Sequence, residues 1–400
     1  MNQPLKGVKV VDCTFFVAGP SAGMNLAEWG AEVIKVEPLH GEPGHNRDEQ
    51  GNIEVRDEYF NVYNRLKKGI ALNTKDSRGR EMLYALLETA DVFLTSYRPG
   101  ALAKMGLDWQ TLHEKFPRLV YGQITGFGDE GPDRDDPGFD SVAYWARSGL
   151  MQDAINRGND VIIPPVGFGD LTCGAVLAGA VGTALFNRER SGQGEKVSLS
   201  LYAMALYGLS YIVFDTQVGR EYPLSRFEPA LPMMGSFKCK DGLWFYMANV
   251  DHEKHYGELM AMLGRHDLIE DERFKSRKAA QQNREDFVAM LDGEFAKHDR
   301  EACLDMMRKA DIAYSTINHV KDNIADPQAL ANDFLLKMNM RDGHDYMVPS
   351  CPVRYGPSNI EECGIGPLLG EDTVKVLSQL DYTEEEIKDM EKEGIIKAHW

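Results

Sequence analysis

The sequence is poor in cysteine, and its cysteines are not grouped. The 400 residues include 6 cysteines, which are scattered along the chain without a CxxC pair. In a chain of this length, such spacing is typical of reduced thiols rather than of a disulfide framework. The first residues also lack the basic and then apolar segments of a secretory signal. We therefore expect a cytoplasmic enzyme.

Positive charge and long apolar runs are also scarce. The chain has 44 Lys and Arg residues against 62 Asp and Glu residues, which gives a formal net charge of −18. Such an acidic protein is repelled by nucleic acids and by anionic membranes, so we expect neither as a partner. No apolar run reaches the roughly 18–20 residues that span a bilayer. An anionic ligand would need a local group of basic side chains.

Several catalytic and nucleotide-binding motifs are missing or incomplete. Gly126–Gly131 has the GxGxxG spacing, but Pro132 and the acidic run 133–137 follow it instead of the helix that a dinucleotide site requires. We interpret it as a glycine-rich turn. His252–His255 is one residue short of HExxH, and we interpret it as part of a surface helix without a metal. A GxxxxGK[ST] loop, which would cradle nucleotide phosphates, is absent.

The first half of the chain alternates short apolar segments with helical patterns. The predicted strands are residues 8–12, 32–37, 70–73, 91–95 and 119–125. The helical patterns include residues 22–29 and 77–90. This alternation predicts right-handed βαβ units and a parallel sheet, whose ligands bind beyond the carboxyl ends of the strands. Residues 171–186 are almost all small and apolar, which predicts a helix that is buried nearly all round.

The pattern changes near Gly219. A proline-containing loop leads to a predicted hairpin with its turn at 240–242, and amphipathic helices follow. The fold class is therefore predicted as α/β, with a large Rossmann-like domain at residues 1–200 and a smaller α+β domain at residues 225–325. Residues 345–400 are predicted to return to the large domain.

Asp170 stands directly before the small-residue helix and after a Gly-Phe-Gly segment. A carboxylate at this place commonly caps a helix, and spacing alone favours that interpretation. The alternative is a ligand site, because glycines leave room for a ligand and a helix N-terminus keeps a carboxylate ionised. An ionised, poorly hydrated carboxylate can attack a thioester. The residues alone leave both interpretations open.

Ordered motifs over nearly the whole chain resemble the family III coenzyme A transferases, the formyl-CoA and carnitine-CoA transferase group. The motifs are residues 5–12 with 17–20, 29–37, 64–69, 96–102, 126–128 and the pair Gly169-Asp170. Residues 136–140 and 163–165 resemble the branch that exchanges CoA between phenyllactate and cinnamoyl-CoA or acts on 2-hydroxyisocaproate. The resemblance to this branch implies CoA transfer between an apolar enoyl or 2-hydroxyacyl thioester and a 2-hydroxy acid, as in amino-acid fermentation.

One segment departs from the formyl-CoA enzymes. Those enzymes carry a glycine-rich loop in the small domain, whereas residues 229–235 here are apolar with a single glycine. This departure favours a larger apolar acyl group. Met233 and Met234 could line its pocket, because methionine adapts to irregular shapes, or they could simply belong to the core.

The resemblance also implies a role for individual residues. Asp170 would be the nucleophile, and it would form an aspartyl anhydride and then an aspartyl-CoA thioester. The backbone of Val17, Ala18 and Gly169 would surround the oxyanion or the acyl group. The residues expected to contact CoA are Leu72, Asn73, Thr74, Lys75, Ser96, Tyr97, Arg98, Lys104 and Asp140.

The resemblance further implies how the protein assembles and what it binds. The ring-shaped subunits would interlock in a homodimer. The ligands would be an acyl-CoA and a carboxylic acid, with coenzyme A entering as a substrate, and neither a tightly bound cofactor nor a metal is expected.

Other functions within the same family remain open. A 2-methylacyl-CoA racemase shares the fold but needs a histidine in the helix before Asp170. Tyr144, Trp145 and Arg147 stand there, and the nearest upstream histidine is His113. A family III transferase for a different acid and a catalytically inactive CoA-binding protein are the remaining alternatives.

Overall fold

The computed structural model describes residues 3–54, 57–356 and 363–399. The predicted C-terminal part, 345–400, thus includes residues 357–362 and 400, which lie outside the described residues. The strands are β1 (Lys9–Cys13), β2 (Glu32–Glu37), β3 (Lys68–Leu72), β4 (Val92–Thr95), β5 (Val120–Thr125), β6 (Lys196–Ser200), β7 (Met234–Lys238), β8 (Trp244–Ala248), β9 (Ala313–Thr316), β10 (Leu335–Asn339), β11 (Asp345–Pro349) and β12 (Ile396–Lys397).

The helices lie between and around these strands. They are α1 (Ala18–Glu28), α2 (Glu58–Tyr63), α3 (Ser77–Glu88), α4 (Pro99–Met105), α5 (Trp109–Lys115), α6 (Leu150–Asp153), α7 (Phe168–Ser191), α8 (Leu201–Gly208), α9 (Ser210–Gln217), α10 (His252–Met262), α11 (Arg277–Gln282), α12 (Arg284–Phe295), α13 (Arg300–Lys309), α14 (Pro327–Ala331), α15 (Thr373–Ser378) and α16 (Glu384–Lys392). Residues Asp140–Ala146 form a π-helix, and His266–Leu268 and Val320–Ala325 form 3₁₀ helices.

One compact unit consists of residues 1–150, 163–213 and 327–400. Its seven-stranded sheet has the order β12-β3-β2-β1-β4-β5-β6, and every pair is parallel except β12 with β3. The predicted α/β class with a parallel-sheet core is therefore confirmed. The order 3-2-1-4-5-6 is that of doubly wound nucleotide-binding sheets, in which ligands bind where the order reverses. Here that point lies between β1 and β4.

Strand β6 was not predicted from the sequence. Residues 197–209 form one continuous apolar stretch, but the structure divides them between β6 and α8. The Ser200 side chain makes the division, because its hydroxyl accepts the Ala203 backbone N–H at 3.1 Å and so caps α8.

Helix α7 differs from the sequence prediction, which had it buried nearly all round. One face packs on α1 so closely that a Cβ on Gly174 would lie 1.9 Å from the Ser21 hydroxyl. The other face is apolar but open, with Phe168 51% and Phe186 65% exposed. Among the described residues, α7 is the one helix long and apolar enough to cross a membrane. The core helices of soluble proteins pass the same test.

The second compact unit consists of residues 151–162 and 214–326. Its antiparallel sheet has the order β7-β8-β9, which confirms the predicted hairpin around the 240–242 turn. Met233 is fully buried in the core of this unit with Phe237 and Phe245, so the structure assigns it to the core. Met234 is partly buried in β7.

The segment His252–His255 is helical, as predicted, but the prediction that it lies on the surface is wrong. This segment opens α10, but both histidines are buried, and His252 Nε2 lies 2.7 Å from the Phe274 carbonyl oxygen. The apolar side of α10 faces the core of the second unit, and its histidines share that side. Across the described ranges, no group of three or more His, Cys, Asp or Glu side chains is placed to hold a metal ion.

Candidate active site

A cavity of about 390 Å³ lies at the carboxyl ends of β1, β4 and β5, where the strand order reverses. Its walls come from four segments of the first unit, 15–19, 96–101, 124–126 and 134–139, and from Asp170 and Leu201. The lining residues are Phe15, Phe16, Val17, Ala18, Gly19, Ser96, Tyr97, Arg98, Ala101, Ile124, Thr125, Gly126, Arg134, Asp136, Pro137, Gly138, Phe139, Asp170 and Leu201.

The turn after β1 brings backbone N–H groups to the cavity wall. Helix α1 begins at Ala18, four residues before the predicted start at residue 22. The first N–H groups of a helix have no intrahelical acceptor, so the N–H of Ala18 and that of Gly19 stay available for a ligand. Phe16 has φ 61°, a left-handed conformation that an aromatic residue rarely adopts. Such a strained turn persists only where its surroundings hold it.

Two buried lysines hold both ends of that turn. Lys35 Nζ donates to the Thr14 carbonyl at 2.5 Å, and Lys67 Nζ donates to the Pro20 carbonyl at 2.8 Å. Lys67 also donates to the Asp12 carboxylate at 2.7 Å, and that carboxylate accepts the Thr14 N–H at 3.0 Å. All these charged groups are buried, so their hydrogen bonds are little weakened by water. The network fixes the turn that carries Val17 and Ala18.

Asp170 is not the cap of α7. The N-cap position is held by Gly167, with φ 74°, and the Asp140 carboxylate accepts the Gly169 N–H at 3.1 Å. Asp170 follows in the first turn and lines the cavity. Its carboxylate has no hydrogen-bond partner within the described part of the chain. The capping interpretation therefore fails, and the Asp170 side chain is free to meet a ligand.

The ionisation of Asp170 also differs from the expectation that the helix N-terminus keeps it charged. Burial, and to a smaller extent the nearby charge of Asp140, raise the pKa of Asp170 to about 7. The Gly169 N–H in the first turn of α7 already donates to Asp140, and burial has the largest effect on the pKa of Asp170. Asp170 is thus a more basic and more nucleophilic carboxylate than a solvated one.

The structure brings some of the predicted site residues together and separates others. Ser96, Tyr97 and Arg98 line the same cavity as Val17, Ala18 and Asp170. Leu72 and Thr74 line a separate cleft of about 20 Å³ that also touches Tyr97. The side chains of Lys75 and Lys104 are exposed, and Asn73 Oδ1 accepts the Lys75 N–H at 3.3 Å. Asp140 and Gly169 are buried behind Asp170.

Sequence reasoning missed the aromatic and basic parts of the cavity wall. Phe15 and Phe16 lie directly beside the recognised Val17-Ala18 pair, which was the available signal. Arg134 belongs to the acidic run 133–137, yet it lines the cavity with its guanidinium 3.1 Å from the Asp135 carboxylate. Phe139 lies in the segment that resembles the 2-hydroxy-acid branch.

Comparison with known proteins identifies one family over most of the chain. Residues 5–373 match the model of CoA-transferase family III. The chain is 35% identical to (R)-2-hydroxy-4-methylpentanoate CoA-transferase of Clostridioides difficile, covering 98% of this chain and 99% of the relative. It is 36% identical to cinnamoyl-CoA:phenyllactate CoA-transferase of Clostridium sporogenes, covering 97% and 96%.

Solved structures show the same fold. A CAIB/BAIF family protein from Brucella suis has a TM-score of 0.79 at 28% identity, covering 95% of this chain and 100% of that one. Rv3272 from Mycobacterium tuberculosis has a TM-score of 0.81 at 28% identity, covering 93% and 98%. With a family match over most of its length and two relatives above one-third identity, the chain belongs to CoA-transferase family III.

Proposed function

We propose that this enzyme moves CoA between an apolar enoyl-CoA or 2-hydroxyacyl-CoA thioester and a 2-hydroxy carboxylic acid. The observation that carries the proposal is the Asp170 carboxylate, which lines the cavity at the reversal of strand order without a partner among the described residues. Relatives named for 2-hydroxy-4-methylpentanoate and for cinnamoyl-CoA with phenyllactate support this class of substrate.

The proposed reaction proceeds through two kinds of covalent intermediate. An Asp170 oxygen attacks the donor carbonyl carbon, the C–S bond breaks, and the CoA thiolate leaves an aspartyl anhydride. The thiolate then attacks the Asp170 carbonyl and releases the donor acid, which gives an aspartyl-CoA thioester. The acceptor carboxylate attacks this thioester, the C–S bond breaks, and the CoA thiolate leaves a second anhydride. The thiolate finally takes the acceptor acyl group, and free Asp170 returns.

Each attack places negative charge on a carbonyl oxygen, and the α1 turn offers donors for it. We propose that the backbone N–H groups at Val17 and Ala18 stabilise this oxyanion, because fixed donors need no reorganisation during the reaction. Gly169 has a different role: its N–H donates to Asp140, and its lack of a side chain lets Asp140 and Tyr144 pack against the first turn of α7. One thioester is consumed and one is formed in each turnover, so no ATP is needed.

We propose that coenzyme A lies along the ends of β3 and β4. Ser96, Tyr97 and Arg98 would meet its pantetheine and phosphate groups in the large cavity, and Leu72 and Thr74 would meet the adenine in the small cleft. Asn73, Lys75 and Lys104 would contact the phosphates from outside, since lysine ammonium groups at the surface attract anions. Arg134 adds a further positive group at the cavity.

We propose a cytoplasmic homodimer of interlocked ring-shaped subunits, with the first unit as the CoA-binding domain and the second as the small domain. The open apolar face of α7 supports an assembled state, because a large exposed apolar surface marks an interface. A fermentative role with amino-acid-derived acids fits the names of the relatives. The racemase alternative gains no support, since no histidine among the described residues lines the cavity.

The Asp140→Asn variant tests the electrostatic part of the site. Because the nucleophile must be ionised, transfer by the wild type should rise with pH through about 7. Asparagine keeps an oxygen acceptor for the Gly169 N–H but removes the charge that helps to raise the pKa of Asp170. The acid limb of the kcat/KM profile should therefore move to lower pH. The ratio of the activity at pH 6 to that at pH 8 should be about twofold or more higher in the variant than in the wild type. An unmoved acid limb would contradict this coupling.

The function itself is tested by CoA exchange between defined pairs. Purified enzyme is mixed with cinnamoyl-CoA or 4-methylpent-2-enoyl-CoA and with phenyllactate or 2-hydroxy-4-methylpentanoate, and thioesters are followed by chromatography. The proposal predicts the 2-hydroxyacyl-CoA and an equal amount of the free enoic acid. Exchange with oxalate or formate alone would refute the substrate class, and wash-in of deuterium at the α-carbon of a 2-methylacyl-CoA without exchange would indicate a racemase.

A further inference from the structure

We infer that Phe16 and Phe139 form the acyl-selecting wall of the cavity and that they favour an aryl acyl group. The inference rests on the proposed function and narrows it to arylpropenoyl and 3-aryl-2-hydroxypropanoyl thioesters over branched aliphatic ones. The two rings meet edge to face, with their centroids 5.2 Å apart and their planes at 76°. Both line the cavity that contains Asp170.

The cavity has an aromatic pair at each of two corners: Phe15 with Tyr97 at the first, and Phe16 with Phe139 at the second. Phe15 meets Tyr97 edge to face at 4.6 Å, and its backbone N–H donates to the Ser96 hydroxyl at 2.9 Å. This first corner is therefore tied to the segment at the end of β4, which we propose contacts CoA. Phe16 points instead to Phe139 and forms the second corner.

The second corner is tied to the turn that carries Asp170. Phe139 directly precedes Asp140, whose carboxylate accepts the Gly169 N–H at 3.1 Å. Phe16 directly precedes Val17, whose Cγ1 lies 3.6 Å from the place where a Cβ on Gly167 would stand. Since the acyl chain starts at the carbonyl that Asp170 attacks, it extends along this corner, while the thioester sulfur points toward the other.

The Phe16–Phe139 corner is both rigid and open, as a selecting wall must be. The backbone of the left-handed Phe16 is held between the turn ends that Lys35 and Lys67 bind, which fixes the point from which its side chain extends. The two rings still have 40% and 50% of their surface exposed and can receive a ligand. The aromatic ring of an aryl acyl group would gain edge-to-face attraction from these two rings, whereas a branched alkyl acyl group of similar area would not.

A competition assay tests the selection directly. Equal concentrations of cinnamoyl-CoA and 4-methylpent-2-enoyl-CoA are supplied together with 2-hydroxy-4-methylpentanoate as the one acceptor. The ratio of their initial rates equals the ratio of their kcat/KM values, and it does not depend on how much of a variant is folded. The wild type should prefer cinnamoyl-CoA by about tenfold. Phe16→Leu and Phe139→Leu should each lower that preference about fivefold.

The same substitution at the neighbouring residue provides the control. Phe15→Leu changes the CoA-side corner, so it should slow both donors alike and leave the ratio within about twofold of the wild type. The inference is overturned if the wild type prefers the aliphatic donor, if neither the Phe16 nor the Phe139 variant changes the ratio, or if the Phe15 variant changes it as much. A wild type that transfers CoA from neither donor would instead refute the proposed function.

Discussion

Asp170→Asn is expected to lower the rate of CoA transfer by about 10³-fold or more. The amide is nearly isosteric with the carboxylate, and the wild-type side chain has no hydrogen bond among the described residues to lose. The fold and the cavity should therefore persist. An amide oxygen is too weakly nucleophilic to form the anhydride, so the first covalent step fails. The measurement is the initial rate of exchange from cinnamoyl-CoA, compared at saturating donor and acceptor.

Two controls separate lost chemistry from lost structure. Asp160→Asn makes the same chemical change at an exposed aspartate of the second unit and should retain wild-type activity. The affinity of Asp170→Asn for free CoA, measured by calorimetry, should stay within about threefold of the wild type. Retention of more than about a tenth of wild-type activity by Asp170→Asn would argue against covalent catalysis at this residue.

Gly169→Ala is expected to lower kcat by about 10²-fold. A Cβ on Gly169 would stand 2.3 Å from Asp140 Oδ1 and 2.4 Å from Tyr144 Cγ, so both side chains or the first turn of α7 must move. Asp140 and Tyr144 are buried, which leaves them little room. The displacement is passed to the adjacent Asp170, whose position decides the attack. Overpacking of this kind should also cost about 1–3 kcal/mol of unfolding free energy.

A matched glycine substitution is available in α12. Gly293 has no other atom within 4 Å of its Cβ position and is exposed. Gly293→Ala should leave kcat unchanged and, by removing a flexible residue from a helix, should stabilise the protein by about 0.5–1 kcal/mol. Thermal melting and steady-state rates measured on both variants test the pair. Equal activity of the two variants would show that Asp170 tolerates movement of the α7 turn.

Strong local patterns made much of the sheet predictable. Strand β2 lies at the predicted residues 32–37, and β1, β3, β4 and β5 begin within two residues of the prediction. These strands are buried along nearly their whole length, so each contains a run of at least two consecutive apolar residues that is easy to recognise. Strand β6 was not recognised because it runs directly into the apolar α8. The boundary between them is set only by Ser200, whose side chain caps α8.

The sequence segments that form the candidate site could be predicted, but the contacts between their residues could not. The Gly169-Asp170 pair and the Val17-Ala18 turn stand out in the sequence, whereas the bond between Asp140 and Gly169 joins residues 29 positions apart. That bond decides that Asp170 is not a cap, and burial decides the direction of its pKa shift. Neither distant contacts nor burial can be read from spacing. The same limit applies to α7, because its composition does not reveal which face a single chain leaves open.

Chemical trapping of the covalent intermediate tests directly whether Asp170 is the nucleophile. The enzyme is incubated with cinnamoyl-CoA, treated with hydroxylamine or borohydride, and digested for peptide mass spectrometry. Hydroxylamine converts an activated aspartyl carbonyl into a hydroxamate, and borohydride reduces an aspartyl thioester to an alcohol. Covalent catalysis by Asp170 predicts that this residue is modified only when the thioester is present and that no modification appears in Asp170→Asn. Modification of another residue, or active exchange with no modified Asp170, would contradict it.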